Sequence, residues 1–140
     1  MAHEQFLQRF FERVWHTDDL PSIDSAIDSL VSEDCVIHGL PHDRNIARAG
    51  FKQFRHAFHK AFDTARVELH DVIEDGERCA FRASATLMKG QRRFTMGGGG
   101  IAVIRDGRIV EAWNQWDFLG LVTQLGMIPE GTFERALSSL

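Results

Sequence analysis

Three tight turn signals in the second half of the chain restrict its fold more than any other feature. The signals are Glu74-Asp75-Gly76-Glu77, Lys89-Gly90-Gln91 and Asp106-Gly107. Four long segments rich in apolar and β-branched residues surround them, at 65–73, 78–88, 92–104 and 108–116. Long strands joined by such short turns pair antiparallel with their neighbours in sequence. The second half therefore predicts a strongly curved, four-stranded meander.

Four consecutive glycines, Gly97 to Gly100, lie inside the third of these strands. Glycine weakens a strand interior unless the backbone has to bend or another backbone comes close. We therefore expect a bend or a bulge at this point. The same glycines do not indicate phosphate binding, because no helix start with a lysine follows them.

The first half of the chain has the spacing of amphipathic helices. Apolar residues recur at intervals of four over 6–14 and predict a first helix that ends near His16. Pro21 suits the first turn of a second helix. A short strand at 34–39 follows, and His38 lies close to its end.

A third helix is predicted from Ala49 to Phe62. Its apolar positions are all phenylalanines, spaced by three, four and four residues: Phe51, Phe54, Phe58 and Phe62. This stripe is expected to pack into the core, and Phe54 and Phe58 are expected to wall a pocket as well. Arg55 is expected on the outer face, with the other basic residues of the helix.

Helices followed by strands predict an α+β fold. We expect a cone-shaped, curved antiparallel sheet that is covered by the N-terminal helices and encloses a cavity. The sequence has 140 residues, which is the size of one domain, so a single domain is predicted over residues 1–140.

Composition excludes several classes of function. The net charge is −4 and the sequence pI is near 5.9, so no basic surface is expected for nucleic acid. The N-terminus lacks a secretory signal, and no apolar run reaches the ~18 residues that cross a bilayer. By elimination we expect a cytoplasmic protein without a membrane partner. Cys35 and Cys79 lie in apolar segments and are expected to be buried thiols rather than a disulfide.

The last predicted strand leads directly into a carboxylate, Asp117, which stands between Trp116 and Phe118. An acid desolvated in such a setting has a raised pKa, as a proton-transfer residue requires. Strand alternation places Asp117 on the face of Trp113 and Gln115, and we expect all three at the cavity. An equally simple interpretation is that Asp117 only caps the helix that begins at Phe118.

Two further polar residues can each be interpreted in more than one way. His38 ends an apolar strand, where it can share a proton with Asp117, polarise a substrate carbonyl, or simply bond to backbone or solvent. Arg82 lies in the middle of a strand and either faces outward or pairs with a carboxylate inside the cavity, where it would bind substrate. A metal site is disfavoured, because His56 and His59 have no nearby acid at ligand spacing, and His38 and His42 lie in a strand and a loop.

Two helices, a strand, a third helix and then a curved meander resemble the nuclear transport factor two-like cone fold, a cystatin-like α+β barrel. Within it, residues 100–129 resemble the SnoaL-like polyketide (ester) cyclase family. The similar positions are a turn glycine, an Arg-Ile-Val-Glu strand, a tryptophan, an aspartate and a final Leu-Gly-Leu…Gln-Leu-Gly segment: Asp106-Gly107, 108–111, Trp113, Asp117 and 119–126.

The resemblance implies that Asp117 is the general acid/base of an intramolecular aldol closure. It also implies one SnoaL-like domain over the chain. Two departures stand out: the loop at Met88–Gln91 is shorter than in many relatives, and the sequence has no tyrosine. Sites of the ketosteroid isomerase or limonene epoxide hydrolase type depend on a tyrosine, so neither can be built here unchanged.

Three hypotheses follow from these observations. The first is an enzyme that needs no cofactor and binds a hydrophobic carbonyl compound, with Asp117 moving the proton and His38 and Gln115 as helpers. The second is a binding module that holds an apolar molecule in the same cavity without chemistry. The third is an interaction domain that forms a homodimer through the outer sheet face, where Trp116 and Ala112 would suit an isologous contact.

Overall fold

The computed structural model describes residues 2–140 and contains a five-stranded sheet with helices before and after it. In chain order the elements are α1 (Ala2–Trp15), α2 (Leu20–Leu30), β1 (Val31–His38), α3 (Arg48–Ala61), β2 (Thr64–Asp75), β3 (Arg78–Lys89), β4 (Arg92–Arg105), β5 (Arg108–Trp116), α4 (Phe118–Gln124) and α5 (Thr132–Ser138). Within these residues, no helix is both long and apolar enough to cross a bilayer.

The sheet has the order β1-β5-β4-β3-β2. Strands β2 to β5 form the predicted antiparallel meander, and β1 adds to it in parallel with β5. Asp106 and Gly107 join β4 to β5 with φ values of 51° and 73°, the positive values that a two-residue hairpin of type I′ requires. The α+β architecture with a curved sheet is confirmed.

The helices follow the predicted signals closely. Asp19 caps α2 by accepting a 3.1 Å hydrogen bond from the Ser22 N–H, with Pro21 in the first turn. The core between α1, α2 and the sheet contains fully buried aliphatic residues, each of which stabilises the fold by roughly 1.5–3 kcal/mol. The largest are Leu7, Val14, Ile23, Ile27, Val31 and Leu87.

Cys35 and Cys79 are buried free thiols, as expected. Burial raises the pKa of the Cys35 thiol to about 11, and the neighbouring Asp34 carboxylate acts in the same direction. Burial likewise raises the pKa of the Cys79 thiol to about 11, with a further contribution from Glu74. Both thiols are therefore protonated and unreactive at neutral pH.

The glycine run in β4 does not form a bulge, so that part of the expectation is wrong. Its pairing with β3 runs in unbroken register, with Gly97 opposite Ser84 and Gly100 opposite Phe81. The glycines instead allow close approach: a Cβ on Gly100 would lie 1.9 Å from the carbonyl oxygen of Trp113. Gly97, in contrast, has open space at the Cβ position.

The bulge lies in β5, at Val110. Ile104 pairs with Ile109 and Val103 pairs with Glu111, so β5 contains one residue more than β4 at this point. An extra residue reverses which side chains face the core beyond it. The cavity face of β5 therefore passes from Ile109 to Ala112, and Ala112, Asn114 and Trp116 face the cavity along the end of the strand.

Candidate functional site

An apolar cavity lies between one face of the sheet, here called the inner face, and helices α1 and α3. The space that the centres of water molecules can occupy is about 80 Å³, within a total non-atom space of about 850 Å³ that includes open solvent. The wall consists of Leu7, Phe10, Phe11, Trp15, Val31, Ile37, Leu40, Phe51, Phe54, Phe58, Ala65, Val67, Phe81, Ala85, Leu87, Met96, Ala102, Ile109, Ala112, Asn114, Trp116 and Phe118.

Three side chains in this wall carry a conventional hydrogen-bonding group: Trp15, Asn114 and Trp116. Asn114 Nδ2 donates a 3.3 Å hydrogen bond to the backbone carbonyl of His38, which leaves its Oδ1 available as an acceptor. The Trp116 ring lies over Gly98, where a Cβ would come within 2.4 Å of it. The wall contains no ionisable side chain, so chemistry inside the cavity depends on hydrogen bonds and on groups at its rim.

Asp117 lies outside the cavity, and the expectation of a buried acid is wrong. Its side chain is exposed and caps α4, where Oδ1 accepts a 2.9 Å hydrogen bond from the Gly120 N–H. The capping interpretation of the sequence is therefore the one that the structure bears out. The two chain neighbours of Asp117, Trp116 and Phe118, both line the cavity, so the carboxylate stands at its edge.

Trp113 and Gln115 were expected in the cavity wall and lie instead on the opposite, outer face of the sheet. The cause is the bulge at Val110, which turns Asn114 inward in their place. The Trp113 ring stacks on the His38 ring, with centroids 5.0 Å apart and an angle of 1° between the planes. Arg78 covers the Trp113 ring at 5.9 Å.

His38 is also on the outer face and does not meet Asp117. Its Nε2 lies 2.8 Å from Oε2 of Glu111, a carboxylate on the adjacent strand β5. Its neighbour Ile37 turns to the cavity, as does Val31 at the start of β1. The expected contact of His38 with a cavity-bound substrate is absent.

Arg82 points outward and is exposed, which is one of the two orientations that the sequence left open. Its Nε lies 2.7 Å from Oδ2 of Asp71 on the paired strand β2. An exposed ion pair of this kind adds at most ~1 kcal/mol to stability. Arg82 is therefore removed from the set of expected substrate-binding residues.

Helix α3 contributes the predicted aromatic wall. Phe54 and Phe58 line the cavity, with ring centroids 5.1 Å apart, and Phe51 is buried. The sequence interpretation missed Arg55, which is only 3% exposed. The missed signal is its spacing, because Arg55 lies four residues after Phe51 and three before Phe58, on the same helical stripe.

A curved five-stranded sheet whose inner face is closed by N-terminal helices around an apolar cavity is the architecture of the nuclear transport factor two-like proteins. Residues 5–125 match the family model of the SnoaL-like polyketide cyclases, and the chain belongs to this family.

Solved structures with the same fold include candidate polyketide cyclases and a candidate hydroxylase. A candidate polyketide cyclase from Bacillus cereus ATCC 10987 is 28% identical, with a TM-score of 0.76 over 89% of this chain and 80% of that one. IdmH, a candidate polyketide cyclase from Streptomyces antibioticus, is 24% identical, with a TM-score of 0.74 over 88% and 97%. AclR, a candidate hydroxylase from Streptomyces galilaeus, is 22% identical, with a TM-score of 0.72 over 93% and 89%. The comparison with curated proteins gave no significant match.

Proposed function

We propose that the protein is a small-molecule enzyme that binds a hydrophobic carbonyl compound in the apolar cavity and catalyses an aldol-type cyclisation or isomerisation. The observation that carries the proposal is the composition of the wall: phenylalanine, tryptophan and aliphatic side chains, with one amide at Asn114. Apolar pockets with a few placed polar groups are the usual setting for such ligands. Family membership supports the same class of activity.

Asn114 is proposed to orient the substrate. Its amide can donate to a carbonyl oxygen or accept from an enol hydroxyl, and it is held by its bond to His38. The other hydrogen-bonding groups of the wall are the indole N–H donors of Trp15 and Trp116, so Asn114 supplies the strong side-chain acceptor and can fix the orientation of a bound molecule. The enclosed space holds only a few water molecules, so a polycyclic substrate requires aromatic side chains such as Phe54 and Phe118 to move.

Asp117 is proposed to move the proton from the cavity edge. Its carboxylate is exposed, and its chain neighbours Trp116 and Phe118 are in the wall, so a substrate that extends to the edge would meet it. The family resemblance assigns the same role to this position. All of these groups belong to side chains of the protein, and the proposed reaction needs no cofactor.

Substitution Asp117→Asn tests this role. We expect turnover to fall at least ~100-fold, since general acid/base groups contribute 10²–10⁴ in rate, while asparagine caps α4 as well as aspartate does. The measurement is consumption of aromatic 1,3-dicarbonyl compounds, followed by loss of enol absorbance. Asp106→Asn is the matched control, since Asp106 lies in a turn at φ 51°, which asparagine tolerates. Turnover retained in Asp117→Asn would remove Asp117 from the mechanism.

A second candidate function is binding without chemistry. It is favoured by the absence of an ionisable side chain from the cavity wall. This function predicts that Asp117→Asn leaves the affinity for apolar compounds intact and that no pH-dependent reaction appears for any of them. The same variant and assay therefore separate the two candidates.

A homodimer is proposed through the outer face of the sheet. The expected contact through Trp116 and Ala112 is wrong, because both side chains face the cavity. Paired outer-face residues form one row across all five strands: His38, Trp113, Ile101, Ala80 and Ile73. Ile101 is 40% exposed and Ile73 is 70% exposed.

Charges of both signs surround this row, which suits a second copy of the same chain. Three acids, Asp71, Asp75 and Glu111, and two bases, Arg78 and Arg82, stand on the same face. In a two-fold contact the same patch meets itself, so each acid can approach a base of the partner copy. A surface of one sign would repel its own copy.

Ile101→Arg is expected to weaken self-association at least ~100-fold, because it buries an unpaired charge at the centre of the contact. Light scattering across a concentration series measures the effect. Met127→Arg is the control: Met127 is 76% exposed and lies after α4, away from the row. A native protein that stays monomeric at all concentrations would contradict the proposal.

A further inference from the structure

A second cavity lies against the first, where α1 and α3 end and β2 begins. Its space, by the same measure, is about 270 Å³. The two cavities share the lining residues Trp15, Phe58 and Ala65. The Trp15 and Phe58 rings meet edge to face with centroids 5.5 Å apart and form the partition between them.

The second cavity differs from the first in being lined by charged and polar side chains. The one that is almost fully buried is Arg55, at 3% exposure. No Asp or Glu among residues 2–140 forms an ion pair with it. A buried charge without a partner of opposite sign is costly, so this arrangement requires an explanation.

Arg55 uses only part of its hydrogen-bonding capacity within the protein. Nε donates to the Val14 carbonyl at 2.7 Å, Nη2 donates to the Thr17 carbonyl at 3.0 Å, and the guanidinium lies 4.7 Å from the centre of the Trp15 ring. These contacts hold the plane of the group in place. Within the described chain Nη1 has no hydrogen-bond partner, and it is not sealed from solvent.

Burial lowers the pKa of Arg55 to about 10, which still leaves it a cation at neutral pH. A guanidinium with free N–H groups in a fixed plane is the arrangement that binds a carboxylate with two parallel hydrogen bonds. The cation therefore presents an anion site at the inner end of the second cavity.

Neighbouring groups favour an anion rather than oppose it. His16 Nε2 lies 2.8 Å from the Val67 nitrogen and 3.1 Å from the Val67 carbonyl oxygen, and burial lowers the pKa of His16, so the ring is neutral at pH 8 and does not oppose an anion. Arg66 stands exposed at the rim. The acids of this cavity, Asp18 and Asp63, are exposed, and Asp63 already accepts a 2.6 Å hydrogen bond from the Gly90 N–H.

We propose that the ligand of this protein is an amphipathic acid, whose carboxylate binds to Arg55 in the second cavity while its apolar body occupies the first. The proposal rests on the proposed function, because it extends the same apolar site by a polar end. It narrows the substrate class to compounds that carry a carboxylate at one end of a hydrophobic skeleton. Such a ligand passes between Trp15 and Phe58, which must separate to admit it.

A structural role accounts for part of what Arg55 does. Val14 and Thr17 are at the C-terminal end of α1, and a cation there satisfies carbonyl groups that the helix leaves open. That role explains two of the donors and not the free Nη1. The two roles make different predictions for ligand binding by the native protein.

Calorimetric titration of the native protein with decanoate, 1-decanol and decylamine at pH 8 separates these roles. The probes have the same chain and differ only in the charge of the head. We expect decanoate to bind at least tenfold more tightly than 1-decanol, and decylamine to bind more weakly than both. Equal affinities for decanoate and 1-decanol would overturn the anion site alone. Failure of all three to bind would overturn the apolar site of the proposed function and this proposal with it.

Arg55→Met is expected to bring the decanoate and 1-decanol affinities within about twofold of each other while leaving the 1-decanol affinity unchanged. Arg13→Met is the matched control, because it removes the same charge from the exposed surface of α1 and should keep the tenfold preference. A decanoate preference that survives in folded Arg55→Met would overturn the assignment. If that variant does not fold, the comparison of decanoate with 1-decanol in the native protein tests the proposal.

Discussion

Gly100→Ala is expected to lower the free energy of unfolding by about 3 kcal/mol, whereas Gly97→Ala is expected to change it by less than about 1 kcal/mol. The new Cβ at position 100 would lie 1.9 Å from the Trp113 carbonyl oxygen. That oxygen belongs to the backbone of β5 and cannot rotate away, so the two strands must separate. At position 97 the same methyl group meets nothing within 4 Å.

Urea denaturation followed by circular dichroism measures both variants. The pair is matched in chemistry and lies within four residues on one strand, so intrinsic strand propensity is the same for both. Equal stabilities for the two variants would contradict the close approach of β4 to β5. A loss in Gly100→Ala should also weaken ligand binding, because Gly100 pairs with Asn114.

Raising the pH from 8 to 10 is expected to remove about 2.5 kcal/mol of stability through the two buried thiols. Unfolded cysteine titrates near pH 9.0, and in the folded protein burial raises the pKa of Cys35 and of Cys79 to about 11. Above pH 9 the unfolded chain therefore releases protons that the folded chain keeps. Each thiol stabilises the fold below pH 9 and loses roughly 1.3 kcal/mol of that contribution by pH 10.

Denaturation curves at the two pH values, with a phosphine reductant present, test this expectation. Cys35→Ala should show about half of the pH-dependent loss, and its own packing cost cancels because only the difference between pH values is compared. The sequence has no tyrosine, so no phenol titrates in the same range. The range ends at pH 10 because burial also lowers the pKa of Arg55 to about 10, and its deprotonation acts with the opposite sign, offsetting about 0.4 kcal/mol of the loss at pH 10. A pH-dependent loss of the same size in Cys35→Ala would exclude its thiol as a cause.

The elements of the fold could be predicted because their boundaries are signalled locally. The turn at Asp106-Gly107 and the break at Asp117 delimit β5, which the structure places at Arg108–Trp116. The start of α4, which the structure places at Phe118–Gln124, is signalled in the same way by Asp117. Residues close in sequence determine both the positive φ values of a hairpin turn and the acid that caps a helix. The sequence pattern alone is therefore sufficient to predict these boundaries.

The side chains of the site were less predictable, because they depend on pairing between strands. Val110 is an extra residue only with respect to the pairing of β5 with β4, and nothing in the sequence of β5 identifies it as a bulge. Trp113 and Gln115 were assigned to the cavity because Asp117 was expected there, and Asn114 takes their place. Arg55 was missed for a different reason: a charged residue on an apolar stripe was assigned to solvent although its spacing placed it inside.

The extra residue at Val110 also has a consequence for how relatives of this chain are compared. Loss of that one codon would place Glu111 directly after Ile109 and leave both opposite their present partners, Val103 and Ile104. The side chains that a ligand meets along the end of β5 would therefore keep their faces, while the local twist that the bulge adds would fall. Counting residues from the Asp106-Gly107 turn would then assign equivalent residues of a relative without the bulge to opposite faces of the sheet.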